Sequence, residues 1–341
     1  SLSSSSYSSN TDTTRTNQTS SLSSTKTATT IDPQYVTALE RQIQELLFTL
    51  PNVCTEDVPN GKDDASNEII ETHGSSPSLD QASVPHWDLA QQYALIDFEL
   101  GVKVTGAGFP FYRGQGARLQ RALVSFFLDE AVDAGYEEFV SPLMVNENSG
   151  KGTGQLPDKE GQMYYIEADD LYMIPTAEVP LTNLKKNELF EGNELPQKYS
   201  AFTPCFRSEA GSYGKDTRGL MRLHQFNKVE MVNIVRAEDS EKAHEEMVNT
   251  AQEFYKSLGI PYRVVNIVSG ALNDAAAKKY DLEAWFPFES AFRELVSCSN
   301  CLDYQSRSMN IRVGEKNADG KKRGSNDGKP KFEKKICEKT I

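Results

Sequence analysis

Long apolar runs are missing from this sequence of 341 residues. No stretch reaches the ~18 consecutive apolar residues of a membrane-spanning helix, so we predict no membrane segment. The first residues also lack a cationic stretch followed by an apolar one, and we therefore expect no secretory signal. Cysteine is scarce: five residues form no disulfide-framework pattern, which favours the reducing cytoplasm.

Basic residues are outnumbered as well. The chain holds 36 Lys and Arg against 49 Asp and Glu, a formal net charge of −13. A protein of this charge is not a general polyanion binder, so any nucleic acid has to meet a local basic patch. Hydrophobic residues make up 38% of the chain, which is enough for a sizeable core in one large domain or two small ones.

Cys298 and Cys301 form a single CxxC pair. One interpretation is half of a zinc site or a redox pair, but a zinc site needs two further ligands. The next cysteine is Cys337, and no histidine follows His244. We therefore favour buried or partly buried thiols in a strand and turn.

Composition divides the chain into four parts. The first 30 residues include 20 Ser or Thr, so we predict a disordered tail over 1–35. Residues 36–85 contain one short amphipathic helix, over 37–50, followed by a polar, acidic linker. Residues 314–341 are expected to form a basic hydrophilic tail. The remaining segment, 86–313, carries the patterns of a folded core.

Hydrophobic periodicity predicts alternating helices and strands within this core. The longest amphipathic helix is expected over 117–134, and the strand after it, over 136–145, is interrupted at Pro142. The other predicted elements are helices over 86–102 and 240–258 and strands over 109–112, 171–175, 262–268, 285–288 and 292–297.

The segment 203–230 is the most informative part of the sequence. It reads TPCFRSEAGSYGKDTRGLMRLHQFNKVE, with apolar runs on either side of a loop rich in Arg, Glu, Gly and His. This pattern predicts a long antiparallel hairpin whose loop presents cations and acids to a polyanion.

The segment FRSEAGSYGKDTRGLMRLHQF resembles motif 2 of class II aminoacyl-tRNA synthetases, and motif 2 of seryl-tRNA synthetases in particular. The helix over 117–134, with the strand that contains Pro142, resembles motif 1 of the same class. The resemblance runs from about Pro85 to Arg312. It implies an α+β class II synthetase core, an antiparallel sheet flanked by helices, and a homodimer formed through residues 117–145.

Activation of an amino acid by ATP needs a cation at the α-phosphate and carboxylates that hold metal ions. Arg207 is the first candidate, because a guanidinium bridges two oxygens at once. The resemblance implies that Arg207 is catalytic and holds the α-phosphate and the serine carboxylate, and that Ser208 and Glu209 bind ATP beside it. Outside this motif, an Arg-x-Glu pair in a strand is more often a surface ion pair.

Thr176, Ala177 and Glu178 follow a predicted strand, and Glu230 lies in the second strand of the hairpin. Hydroxyl and carboxylate oxygens suit the ammonium and hydroxyl of a small hydroxylated substrate. The resemblance implies that these four residues, with Arg207, bind L-serine. The alternative for Thr176 is a helix N-cap with Glu178 in the first turn.

The segment ELVS matches the family's ATP-binding segment, and its residues are Glu294, Leu295, Val296 and Ser297. The resemblance implies that Glu294 is catalytic and that Glu294 and Ser297 are Mg²⁺ ligands. One carboxylate is sufficient to expect, because Mg²⁺ usually keeps several waters. For His224 two positions stay open: it approaches the pyrophosphate or packs under the hairpin.

The resemblance fails at both ends of the chain. Family members of the common bacterial type begin with a long coiled coil that grips tRNA, whereas residues 36–85 offer one short helix, which we interpret as a remnant of that arm. Family members also continue into motif 3, whereas this chain reads EKKICEKTI. We therefore expect weakened ATP binding and poor charging of tRNA.

The resemblance implies a serine–tRNA ligase that uses ATP and Mg²⁺ to activate L-serine and then transfers it to tRNA(Ser). Two alternatives stay open. One is a non-catalytic or truncated relative that acts as a binding module. The other is a synthetase-like ligase that joins an amino acid to a carrier protein.

Overall fold

A computed structural model describes residues 32–79, 83–209, 216, 218–314 and 335–340. The helices are α1 Pro33–Leu47, α2 His86–Gln92, α3 Phe98–Val104, α4 Gly114–Asp133, α5 Glu147–Thr153, α6 Glu178–Asn183, α7 Ser240–Ser257 and α8 Tyr304–Ser308. The strands are β1 Glu68–His73, β2 Ile96–Asp97, β3 Phe111–Tyr112, β4 Glu137–Phe139, β5 Met144–Val145, β6 Tyr165–Ile166, β7 Leu171–Met173, β8 Leu189–Phe190, β9 Gln197–Phe206, β10 Gln225–Val235, β11 Tyr262–Asn266, β12 Lys278–Phe286, β13 Ala291–Asn300, β14 Arg312–Val313 and β15 Lys335–Thr340. Within these ranges, no helix combines the length and the apolar character needed to cross a bilayer.

The chain divides into two compact units, Ser1–Gln44 and Glu45–Ile341. The described part of the first unit belongs to α1, where the Asp32 carboxylate accepts a hydrogen bond from the Gln34 amide (2.9 Å) and caps the helix. The predicted short helix is confirmed, although it runs over Pro33–Leu47 rather than 37–50. Residues 1–31 of the predicted disordered tail lie outside the described residues.

An eight-stranded sheet forms the centre of the second unit, in the order β1-β11-β12-β13-β15-β10-β9-β4. Neighbouring strands are antiparallel except β4 and β9, which are parallel. The long hairpin predicted over 203–230 is present as β9 and β10, with Lys228 opposite Thr203 and Glu230 opposite Ala201. The prediction of an α+β fold with an antiparallel sheet flanked by helices is confirmed.

The two faces of the sheet have different partners. On one face, Met231 and Leu282 pack with Phe254 of α7 and Ala131 of α4 in the largest apolar cluster. Burial of such large side chains contributes on the order of 1.5–3 kcal/mol each to stability. On the opposite face, apolar residues of β9 and β10 pack under α6 and α8. Further along that face β10 carries polar side chains instead, and some of these line a cavity.

The single helix predicted over 86–102 is wrong. The chain forms α2, then the short strand β2, then α3. Ala94 takes a left-handed φ of 51°, which ends the first helix, and Asp97 caps the second by accepting from the Leu100 amide (3.0 Å). Apolar residues lie on both sides of this break, so their spacing alone does not reveal it.

The predicted interruption at Pro142 is confirmed. Residues before it form β4, which pairs with β9 in the large sheet, and residues after it form β5, which pairs with β7 in a small one. Proline lacks an N–H and cannot continue a strand ladder, which explains the change of sheet at this point.

The linker predicted within 36–85 and the tail predicted over 314–341 need correction, because each contributes a strand. β1 pairs with β11, and all six of its residues are exposed, so no alternation marks it in the sequence. β15 lies between β10 and β13 and pairs with both. The sequence of β15, KICEKT, has one apolar pair. Its position in the sheet depends on backbone hydrogen bonds to β10 and β13, which are distant in the sequence.

The CxxC pair lies at the end of β13. Cys298 is in the strand and Cys301 follows it, with exposed fractions of 0% and 2%. Cys298 belongs to the large apolar cluster, and Cys301 packs with Ala275 and Tyr304. The interpretation as buried thiols in a strand and turn is confirmed.

Candidate active site

The polar end of the hairpin forms part of the wall of a cavity of about 1060 Å³. Side chains alternate along a strand, so Phe226, Lys228 and Glu230 point to the same face of β10. Arg207, which directly follows β9, lines the same cavity. The polar and charged residues that line it include Thr176, Glu178, Arg207, Glu209, Lys228, Glu294 and Ser297.

Arg207 is held by its neighbours in a way that leaves its guanidinium available to a ligand. The guanidinium lies over the ring of Phe226, 5.1 Å from its centroid, and the Arg207 amide donates to the His224 carbonyl (3.0 Å). A cation stacked on an aromatic face is fixed in direction without using its N–H donors. Arg207 therefore lies in the cavity wall with its guanidinium fixed by stacking.

Glu209 and Ser208 have different surroundings, although they are neighbours. Glu209 lines the cavity and forms an ion pair with Arg222 (2.5 Å), and it takes a left-handed φ of 52°. Ser208 is not among the lining residues. Its hydroxyl donates to the Gly161 carbonyl and its amide donates to the Gln162 carbonyl (2.8 Å), so it joins the hairpin to the neighbouring loop.

The hydroxyl of Thr176 has two roles at once. It donates to Glu230 Oε2 (2.5 Å), and it accepts from the Glu178 amide (3.2 Å) at the start of α6. Thr176 is therefore able to cap the start of α6 and to belong to the candidate substrate site at the same time. Ala177 is fully buried in the apolar cluster under α6 and does not line the cavity.

Glu178 and Glu230 are both held by donors. Gln305 of α8 donates to Glu178 Oε1 (2.8 Å) and to the Thr153 carbonyl (3.1 Å). Glu230 is fully buried, and Lys228 Nζ lies 3.2 Å from its Oε2. Lys228 and Gln305 are not among the sequence predictions. An alternating strand pattern does not distinguish a buried lysine from a solvent-facing one, and no local signal marks Gln305.

Glu294 and Ser297 lie together on β13, as the sequence predicts, and both line the cavity. A bulge in the pairing with β12 separates them and turns Leu295 to the cavity as well. Val296 points to the other face and is buried in the large apolar cluster. Of the four residues of the ELVS segment, the structure therefore brings three to the cavity.

Asp281 is an acid of this region that sequence reasoning missed. It lies opposite Ser297 in the pairing of β12 with β13, and it is 3% exposed. Lys279 Nζ lies 3.0 Å from its Oδ2. Burial, and then the charge of Glu294, raise the pKa of Asp281 well above its ordinary value, against the opposing effect of Lys279.

His224 packs under the hairpin, which is one of the two positions left open. Its ring stacks on Phe109 at 5.3 Å with an interplanar angle of 8°, and Nδ1 lies 2.8 Å from the Tyr164 hydroxyl. It is not among the residues that line the cavity.

His86 anchors Gly219 and Leu220 in the connection from β9 to β10. Its Nε2 accepts from the Leu220 amide (3.0 Å), and Gly219, with a left-handed φ of 82°, approaches so closely that a Cβ there would lie 2.1 Å from Nε2. Leu220 lines the cavity. Burial lowers the pKa of His86, which favours the neutral ring that this acceptor role requires.

Comparisons with known proteins agree on one family. The family model described as "tRNA synthetase class II core domain (G, H, P, S and T)" matches residues 164–323. The chain is 46% identical over 284 residues to a protein named serine–tRNA ligase from Syntrophobacter fumaroxidans, covering 83% of this chain and 67% of that one. The chain spans about two thirds of the length of the curated relatives it matches.

Solved structures give the same result. A crystal structure of seryl-tRNA synthetase from Pyrococcus horikoshii complexed with ATP superposes with a TM-score of 0.82 at 36% identity, covering 90% of this chain and 70% of that chain. A cytoplasmic serine–tRNA ligase from Naegleria fowleri in complex with AMP gives a TM-score of 0.81 at 35% identity, with coverages of 90% and 72%. The sheet order, the hairpin that carries Arg207 and the extent of these matches lead to one conclusion: the chain belongs to the seryl-tRNA synthetase family of class II aminoacyl-tRNA synthetases.

Proposed function

We propose that this chain activates L-serine with ATP, forming seryl-adenylate and pyrophosphate, and transfers the seryl group to tRNA(Ser). One observation carries the proposal: a single cavity is lined by Arg207, by Thr176, whose hydroxyl donates to the buried carboxylate of Glu230 behind the cavity wall, and by Glu294 and Ser297 of β13. The first part suits an anion, the second an ammonium and the third a metal-bound triphosphate. The relatives are named serine–tRNA ligases, and one was solved with ATP.

The reaction needs positioning and charge stabilisation rather than a protein nucleophile. A serine carboxylate oxygen attacks the α-phosphorus, and pyrophosphate leaves. Arg207 is suited to hold the carboxylate and an α-phosphate oxygen together, since a guanidinium offers parallel donors. Glu178 and Glu230 are suited to accept from the serine ammonium and hydroxyl, and Glu209 to accept from the ATP base.

Mg²⁺ fits the acidic end of the cavity. Glu294 and Ser297 supply only oxygen donors, which are the donors that Mg²⁺ prefers. Asp281 is buried on the partner strand, where burial and the charge of Glu294 raise its pKa, so a cation at this end of the cavity would favour the charged form of both carboxylates. Glu294 and Ser297 would hold the ion, and when bound it would offset the charge of the triphosphate. Of the other predicted site residues, Leu295 lines the cavity, whereas Ala177, Ser208 and Val296 do not.

Serine rather than threonine is the expected ligand. Thr176 and Glu230 form a site built from hydrogen-bonding groups, and such a site rejects ligands that leave those groups without partners. Isothermal titration calorimetry with serine, threonine and alanine, in the presence of a non-hydrolysable ATP analogue, tests this. We expect serine to bind more tightly than alanine by about 10-fold or more, the value of one good charged hydrogen bond. We expect a difference of about 10-fold or more from threonine as well, because its extra methyl group has to fit beside the hydroxyl. Equal or tighter binding of threonine would contradict the assignment.

We propose a homodimer formed through residues 117–145. Leu119, Val132 and Met144 are between 46% and 55% exposed, and Val140 is 94% exposed, which is a large apolar surface for one short segment. Two-fold dimers are the commonest closed assemblies.

We propose that the chain acts in the cytoplasm. This compartment provides tRNA and ATP, and it keeps the free thiol of Cys54 reduced.

Sedimentation equilibrium at micromolar concentration tests the dimer. We expect twice the chain mass of 38.0 kDa for the wild type and a shift to monomer for Val140→Asp, because a buried unpaired charge opposes association. The matched control is Val53→Asp, at a valine that is also largely exposed (79%) and lies outside the segment. A folded wild-type monomer would rule out the dimer.

A further inference from the structure

Lys228 is the least expected residue of the cavity. Its side chain is 8% exposed, yet it belongs to the cavity wall, and it forms an ion pair with Glu230, which is fully buried. Lysine is rarely buried unless it is paired, so the pair is a required feature of the folded chain. The cation of this pair therefore lies at the base of the site, within reach of a bound ligand.

The position of this ammonium overlaps with that of the proposed ligand. Glu230 Oε2 accepts from the Thr176 hydroxyl at 2.5 Å and lies 3.2 Å from Lys228 Nζ. A carboxylate oxygen has about two lone-pair sites, so these two donors already occupy Oε2. A second ammonium brought to the same oxygen would also face Lys228 at short range, where like charges repel strongly in a buried site.

The Lys228 side chain is able to reorient towards a second partner in the same cavity. Its four-carbon stem is flexible, and its ammonium is a compact charge that pairs in many geometries. Arg207 follows β9, next to β10, and lines the same cavity. The Arg207 guanidinium lies over Phe226, which is two residues before Lys228 on the same face of β10, so a carboxylate held by Arg207 lies on the Phe226 side of Lys228.

We propose that Lys228 is an exchangeable counter-ion that binds the amino-acid substrate. In the site without amino acid it neutralises Glu230; when the ammonium of the amino acid takes its place there, Lys228 turns to the carboxylate of the same ligand. The proposal rests on the proposed function, since it takes serine as the ligand of Glu230. The exchange keeps the buried charges paired in both states.

Two ligands distinguish displacement of Lys228 by an ammonium from binding of Lys228 to a carboxylate. Serine carries an ammonium, a hydroxyl and a carboxylate, whereas serinol carries an ammonium and two hydroxyls without a carboxylate. In Lys228→Met we expect the ratio of the affinity for serine to that for serinol to fall by about 10–100-fold, because only serine loses a charged hydrogen bond to its carboxylate. We expect serinol to bind as tightly as to the wild type, or more tightly, because its ammonium no longer displaces Lys228. Isothermal titration calorimetry measures both.

The matched control is Lys278→Met. Lys278 is also buried, with a side chain 2% exposed, and it pairs with Asp57 (2.6 Å) and Glu241, but it does not line the cavity. We expect this variant to bind both ligands like the wild type. If Lys228→Met does not fold, Lys228→Gln keeps a donor for Glu230 without the charge, and the same divergence between serine and serinol is expected.

The outcomes separate this proposal from the proposed function. Wild-type protein that binds neither ligand would overturn both. Wild-type protein that binds both, with a Lys228→Met variant that loses serine and serinol to the same extent, would leave the proposed function intact and overturn the exchange.

Discussion

Replacement of Arg207 by alanine should lower serine-dependent ATP–pyrophosphate exchange by on the order of 10²–10³-fold, the usual cost of removing one donor from a developing anion. The fold should survive, because Arg207 lines the cavity and stacks on the half-buried ring of Phe226, which belongs to none of the described buried apolar clusters. Exchange of radiolabelled pyrophosphate into ATP, measured at saturating serine, gives the rate. Circular dichroism checks the fold.

Arg263→Ala is the matched control. Arg263 also lies over a phenylalanine, 4.7 Å from the ring of Phe292, and forms an ion pair with Glu283 (2.5 Å), but it does not line the cavity. Its loss should leave exchange within about threefold of wild type, since such ion pairs contribute ~0–1 kcal/mol. Equal losses in the two variants would show that Arg207 acts through the fold rather than on the ligand.

Replacement of Glu230 by glutamine should destabilise the protein by about 3–5 kcal/mol, the range found when one partner of a buried ion pair is removed. Glu230 is fully buried, and its loss leaves the Lys228 ammonium inside the protein without its counter-ion. The same change removes the carboxylate that should accept from serine, so serine binding should be lost. Urea unfolding gives the stability, and calorimetry gives the binding.

The double variant Lys228→Met, Glu230→Gln distinguishes this account from simple loss of packing. Because neither charge remains, most of the lost stability should return, and the coupling between the two changes should be far from zero. Serine binding should stay absent, since the accepting carboxylate is still missing. A double variant as unstable as the sum of the two single variants would contradict a coupled pair.

The hairpin and its site residues could be predicted because they lie close together in the sequence. Apolar runs on both sides of 203–230 mark the two strands, and Arg207 and Glu230 then come to one face through the pairing of β9 with β10. Thr176 comes from a separate loop, and its contact with Glu230 spans 54 residues. It could be named from the family resemblance, whereas local patterns predict at most a helix cap.

Other residues could not be predicted, because their roles depend on strand register. Asp281 reaches Ser297 only through the pairing of β12 with β13, and Val296 leaves the cavity because side chains alternate along β13. Lys228 reads as an ordinary polar residue of a strand until the burial of Glu230 is known. β15 is placed by the backbone of β10 and β13, and six residues with one apolar pair contain no signal for that position.

Amino-acid-dependent ATP–pyrophosphate exchange by this chain tests the central claim most directly. With ATP and Mg²⁺ present, the account predicts exchange that depends on serine, with rates for threonine, alanine and glycine lower by about 10-fold or more, because each leaves a hydrogen-bonding group of the site unpaired or does not fit beside it. It also predicts that Arg207→Ala removes the serine-dependent signal. Equal exchange with threonine or alanine, or no exchange from a folded chain that binds serine, would contradict the account.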